Sequence, residues 1–560
     1  MSTTEHGGQN IYEFKGDAEF FFARHKRLLA QKDYFGALSS LRRAGELEKG
    51  YKAKLALADF FANYRLYFYA ERQYFMLLSR YTESAAEVYA SLSQMYYATG
   101  DNYNGMSYFN RFLRENGGAA YMDDDEDYYS AYSDDYDDYD GDYRLVYPPT
   151  EEMYEELVDE AKAAIGAEKY DEARQMLLSV PESSAWYLPA RNNLALSRLF
   201  AGDTAQALSI VNSLISRWPD DIFTLCTACS VYRFAGQTGK ALEAAEKLRG
   251  VRTDDEFLLY KAAAAFCELE DHAQVYVFLR KLLDIKPLDL RALRLIAIAC
   301  FNLQRYDESR EWLLGILEID GGDLMSKGYL GLLNQIAALS VTDGFKLAYM
   351  VTLPSAVKQP LEKRLKKLLA GEALSAKDCN PDEFLQLYSF IEEEYGGRHL
   401  PALLEKFAAM DGIMDGINRA LLSTKIELKY KRQAVHWLAR SGYRGNVHMT
   451  AFREYGIRHL RYPRGYFRMD GHKQAAYCRA LSALAVYSED VSRTLSRTAY
   501  NLFGVADVHG VDLSDTEAVA AVLCYEAHVR RFARPMQVLH EDFKFKSADF
   551  KRLRTELKLD

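Results

Sequence analysis

Residues 188–221 read LPARNNLALSRLFAGDTAQALSIVNSLISRWPDD, two apolar-patterned halves flanking Ala201-Gly202-Asp203 and closed by Pro219. Gly and Asp favour a turn and proline ends a helix, so the stretch predicts two helices joined by a tight turn. The spacing recurs on both sides of it. Ala173, Ala207, Ala241, Val275 and Ser309 lie 34 residues apart, and twelve residues ahead of each stands another small residue: Ala161, Ala195, Cys229, Ala263 and Ala297. Small side chains at both positions let two helix axes approach, while Leu177, Val211, Leu279 and Leu313 fill the space between neighbouring units. Five helical hairpins in register are therefore predicted across residues 154–323.

Tyr170-Asp171-Glu172-Ala173, Tyr306-Asp307-Glu308-Ser309 and Trp218-Pro219-Asp220 resemble the turn and closing motifs of tetratricopeptide repeat (TPR) proteins. The chain departs from that pattern at Thr204, Thr238 and His272, which replace the turn tyrosine, and at Thr253, which replaces the closing proline. A less regular block of about three units is expected over residues 1–118. It keeps the spacing through Ala37, the Ala70/Glu71 pair and Gly105, with Asp33-Tyr34 and Gly100-Asp101 in the turns. Residues 324–350, with Gly331 in the small position, are expected to cap the stack, which places the main solenoid at 151–350. The resemblance implies an all-α, TPR-type α-solenoid whose first helices line a groove for a peptide or helix of a protein partner. On the units starting at Leu188, Ile222, Glu256 and Leu290 it places Asn192, Phe223, Arg233, Phe257, Tyr260, Arg291, Arg294 and Phe301 in that groove. Aromatic and Arg side chains together are common anchors of partner recognition. No unit pairs Lys at its fifth position with Asn at its ninth, so the carboxylate clamp of some family members is not expected.

The chain has 560 residues, too many for one compact core, and 49% of them are hydrophobic, too many for general disorder. Seven cysteines are too few for a disulfide framework and fit a reducing compartment. No apolar run reaches the ~18 residues that a bilayer span needs. A cytoplasmic protein with no membrane partner is the expectation. The net charge of −10 is unevenly shared, with +7 on residues 351–560 and −17 on residues 1–350. Eleven acids lie between Asp123 and Asp142 with no Lys or Arg among them. Like charges at that density repel, so residues 119–150 are expected to be a disordered acidic insertion. Asp138-Tyr139-Asp140-Gly141-Asp142 has part of a calcium-loop spacing, but Tyr136 and Tyr147 occupy the first and last ligand positions, which argues against calcium.

From about Pro354 the 34-residue phase is lost while helical periodicity continues, as in Leu361, Leu365 and Leu368, then Phe384, Leu387, Tyr388 and Ile391. A second, all-helical domain is expected over 355–560. Across Tyr430–Arg468 within it, Lys431, Arg432, Arg440, Arg444, Arg453, Arg458, Arg461, Arg464 and Arg468 stand against one acid, Glu454. Trp437, Tyr443, Phe452, Tyr455, Tyr462, Tyr466 and Phe467 are interleaved with them. Arginines for phosphates and rings for bases make this a candidate nucleic-acid surface, with the acidic insertion as a competitor.

Tests for chemistry fail. Cys226 and Cys229 form a lone CxxC with no second pair, and Cys229 sits at the small core position of its unit. Gly236-Gln237-Thr238-Gly239-Lys240 lacks the leading glycine of a phosphate loop, having Phe234 there. His436, His448, His459 and His472 are 12, 11 and 13 residues apart, so no two share a helical face at metal-binding spacing. No metal, cofactor or catalytic residue is predicted. The expectation is a non-enzymatic interaction scaffold or adaptor, with a nucleic-acid-binding regulator as the alternative.

Overall fold

The computed structural model describes residues 17–47, 51–81, 84–117, 150–339, 346–349, 353–371, 380–408, 410, 412–485, 491–532 and 534–559. The acidic insertion expected at 119–150 lies outside these residues, apart from Thr150. Two compact units emerge. One comprises the described residues of Tyr139–Pro354; the other joins those of Met1–Asp138 to those of Ser355–Asp560.

In the first unit the helices run in consecutive pairs: Glu151–Gly166 with Tyr170–Ser179, Tyr187–Phe200 with Thr204–Arg217, Ile222–Phe234 with Thr238–Arg249, Glu256–Glu268 with His272–Ile285, and Leu290–Asn302 with Tyr306–Ile319. Leu324–Leu339 follows and packs on the last of them. The turn inside each pair uses one left-handed residue at an unbroken 34-residue step: Glu168 (φ 61°), Gly202 (84°), Gly236 (73°), Glu270 (56°) and Gln304 (61°). First helices are capped at the same step. The carboxylates of Asp221, Asp255, Asp289 and Asp323 accept from the backbone N–H groups of Thr224, Leu258, Ala292 and Ser326, satisfying donors that a helix start leaves unpaired. All ten small positions of the 34-residue pattern are buried, and they meet in pairs: Cys229 Sγ reaches Ala241 O at 3.7 Å, and Ser309 Oγ donates to Ala297 O at 2.8 Å.

The second unit opens with three more hairpins: Ala18–Ala30 with Tyr34–Leu47, Tyr51–Asn63 with Tyr67–Arg80, and Ala85–Ala98 with Asn102–Glu115. The twelve-residue crossing recurs here. His25 Nδ1 donates to Ala37 O, and Ser93 Oγ to Gly105 O, both at 2.9 Å. Lys32, Arg65 and Gly100 supply the left-handed turns.

The C-terminal part of this unit is built around the helix Thr516–Ala527, buried along its length from Ala518 to Cys524 and packed against Gly471–Leu484, Val491–His509 and Ser547–Glu556. Asn380 caps Pro381–Tyr395, and left-handed Gly396 ends it. Helices predominate as expected, with one addition among them. Strands β1 (Asn446–Ala451) and β2 (Glu454–His459) pair antiparallel, joined by Phe452 and Arg453, which both have positive φ (52° and 64°). A two-residue hairpin turn needs such angles, and neither residue type favours them.

That turn rests on the second helices of the N-terminal hairpins. Tyr108 Oη donates to Arg453 O and accepts from Tyr455 N–H, both at 2.8 Å, and its ring is stacked on Tyr96 with centroids 5.5 Å apart. Ser107 Oγ donates to Glu454 Oε1 (2.8 Å) and Arg111 to Tyr455 O (2.6 Å). Beside it, buried Glu71 accepts from the hydroxyls of Tyr96 and Thr424. The N-terminal repeats and the C-terminal segment thus share one core.

Candidate functional site

In the solenoid, first helices pack on first helices, Tyr187–Phe200 on Ile222–Phe234 and that one on Glu256–Glu268. The row closer together is the inner side of a curved stack. The curvature is strong enough that Lys162, on the first hairpin, brings its Nζ within 5.7 Å of the Phe257 ring centroid on the fourth.

Four of the eight sequence-predicted groove residues meet there. Phe223 and Phe257 form a T-shaped pair 5.4 Å apart, and the Arg291 guanidinium lies 5.0 Å over the Tyr260 ring. Phe257 is 43% exposed and the Arg291 side chain 66%. Arg233 is exposed on the same row of helices. The other three serve the core. Asn192 is fully buried and donates to Leu188 O (3.0 Å) and Thr224 Oγ1 (3.1 Å), Phe301 is buried edge-on to Tyr306, and Arg294 pairs with the buried Asp323 at 2.6 Å.

Sequence reasoning missed the centre of this face. Lys261 holds its ammonium 5.1 Å over Phe223 and 5.4 Å over Phe257. Among the described residues it has no hydrogen bond or ion pair. Burial pulls its pKa below that of an ordinary lysine, and Lys162 pulls the same way, against Cys226 and Glu268. Burial likewise pushes the Glu268 carboxyl up. The available signal was the i, i+4 spacing of Phe257 and Lys261, which stacks two side chains on one helical face. Half-desolvated ammonium and ring faces together attract an anionic group that brings its own apolar contact.

The nine basic residues of the C-terminal segment divide. Lys431 is buried, donating to Thr450 O (2.8 Å) and Oγ1 (2.7 Å), and burial brings its pKa down to about 7 against the upward pull of Glu71 and Glu392. Arg458 is buried with its Nε on Ala485 O, and Arg432 pairs with Asp542. Arg453 reaches Asp101 at 3.6 Å. Arg440 is exposed at a helix end. Arg444, Arg461, Arg464 and Arg468 line a single open cleft of about 510 Å³.

Of the histidines weighed as ligands, burial holds His436 and His448 below the ordinary histidine pKa. Among the described residues no group of three His, Cys, Asp or Glu side chains converges to hold a metal, and no helix is long and apolar enough to cross a membrane.

No protein-family model and no curated protein sequence matches this chain. Among solved structures it is similar to a tetratricopeptide repeat protein from Parabacteroides merdae ATCC 43184, with 15% identity over 50% of this chain and 98% of that one and a TM-score of 0.26. It is also similar to the C-terminal part of a TPR repeat-containing protein from Cytophaga hutchinsonii, with 14% identity, 46% and 98% coverage and a TM-score of 0.26. Consecutive helix pairs, a buried small residue at each crossing and a left-handed turn every 34 residues make a TPR-like helical repeat solenoid.

Proposed function

We propose that this protein is a non-enzymatic scaffold whose solenoid holds an extended, acidic segment of a protein partner on the inner row of first helices. The observation that carries the reading is Lys261, whose ammonium is set over two phenylalanine rings with no hydrogen bond or ion pair among the described residues. Lys162, paired with Asp159 at 2.7 Å, and the exposed Arg291, 3.9 Å from Asp289, flank it on either side. A carboxylate of the partner completes Lys261, while a neighbouring apolar side chain covers the exposed edge of Phe257. Burying such an aromatic anchor beside a charge gives hot-spot behaviour, in which one truncation costs about 2 kcal/mol or more of binding energy.

Titration of the full chain with an array of fluorescent acidic and basic peptides tests this by anisotropy. Acidic peptides with one aromatic or aliphatic residue are expected to bind, and Lys261→Glu and Phe257→Ala each to weaken them by about thirtyfold. Equal affinity for wild type and both variants refutes the site.

A further inference from the structure

We propose that the cleft lined by Arg444, Arg461, Arg464 and Arg468 binds single-stranded nucleic acid, its phosphates held by these guanidiniums and one base stacked on Phe467. All four arginines are exposed, and none of them has an ion pair among the described residues. The nearest acid along the chain, Asp470, is already engaged, accepting from Lys473 N–H at 3.0 Å as a helix cap and pairing with its ammonium at 3.4 Å. Four guanidiniums kept together with no ion pair among the described residues repel one another, and a phosphate backbone relieves that repulsion by releasing its counterions.

The loop is held in place before any ligand arrives. The one hydroxyl proton of Tyr462 is shared between Ala439 O (3.0 Å) and Tyr443 O (2.9 Å), Gln474 Nε2 donates to Tyr466 O (3.1 Å) and Met469 O (2.9 Å), and the Tyr477 hydroxyl donates to Arg461 O. The rings of Tyr462, Tyr466, Phe467 and Tyr477 pack together at centroid distances from 4.8 to 6.1 Å. Left-handed Gly442 lets Phe467 approach, since a β-carbon there would stand 3.1 Å from its ring. Phe467 nonetheless stays 52% exposed, with Arg444 4.6 Å over its ring. A small-molecule site is usually enclosed and mostly apolar. This one is open and cationic with a ring at hand, which is the combination that tracks a strand and stacks its bases.

Anisotropy of fluorescein-labelled ten-nucleotide oligo-rU and oligo-dT with the full chain tests the proposal. Four phosphate contacts on a single strand are expected to weaken binding about 50-fold between 50 and 200 mM salt. Arg461→Ala with Arg464→Ala should weaken binding at least tenfold at 50 mM and halve the salt slope, whereas Phe467→Ala should weaken it about tenfold with the slope unchanged. Circular dichroism melts of each variant report whether it is folded. The proposal is overturned by absent binding at 50 mM, by a folded double arginine variant that binds like wild type, or by tripolyphosphate displacing the strand while Phe467→Ala has no effect. Tighter binding of a phosphoserine peptide through the same arginines overturns it in favour of a protein ligand.

Discussion

The two sets of helical hairpins obey the same geometry and are stabilised differently. In residues 151–339 each hairpin is covered by the next, and the outward faces of the second helices carry surface charge, such as Arg249 paired with Asp271 at 2.8 Å. In residues 18–115 the second helices present Glu71, Phe75, Tyr108 and Arg111, and these are covered by the C-terminal segment through Thr424 and the turn of the β-hairpin. The difference explains why the N-terminal pattern is degenerate. A helix buried on a second side must replace its solvent-facing residues with aromatics and a satisfied carboxylate, which disturbs the composition of the repeat without disturbing the twelve-residue crossing.

The sharpest way to break the comparison is Tyr108→Ala. Losing a fully buried ring, its stack on Tyr96 and both hydrogen bonds to the hairpin should cost about 4 kcal/mol, read as an earlier chemical-denaturation transition for the unit that contains it. The solenoid transition should stay in place; a shift of both together would mean that the two sets are not separately stabilised. The converse is Ala241→Leu, which overfills the crossing with Cys229 and should cost about 2 kcal/mol in the solenoid alone. Smallest is Asp255→Ala. Removing the cap on Leu258 N–H should cost about 1 kcal/mol, measurable as a slightly lower melting temperature, and no change at all would show that water replaces the carboxylate at no cost.

The solenoid was readable because its signal is local and repeated. Small residues at a 34-residue step survive in composition, and so do the capping aspartates 221, 255, 289 and 323, once the phase is known. The left-handed turn positions are less visible, since only Gly202 and Gly236 among the five are glycine. The β-hairpin left no such mark. Its turn is Phe452-Arg453 instead of a sequence like Asn-Gly, and what holds it is Tyr108, about 350 residues earlier in the chain. The basic run could not be sorted by composition for the same reason. Lys431 and Arg458 face inward, and Arg432 meets Asp542 across 110 residues, so only tertiary structure separates them from the four arginines of the cleft. On the inner row of helices, the repeat phase points to Phe257 and Tyr260, while Lys261 lies one residue off that stripe.

The bond from Tyr455 N–H to Tyr108 spans 347 residues, and that separation sets an order of events during synthesis. At ribosomal speeds of about 5–20 residues per second, the aromatic side of the first three hairpins waits roughly 17–70 s for the segment that covers it. A nascent chain therefore carries a complete solenoid before its first and last parts can meet, and whatever shields Phe75 and Tyr108 in that interval decides how much of the protein reaches its finished form.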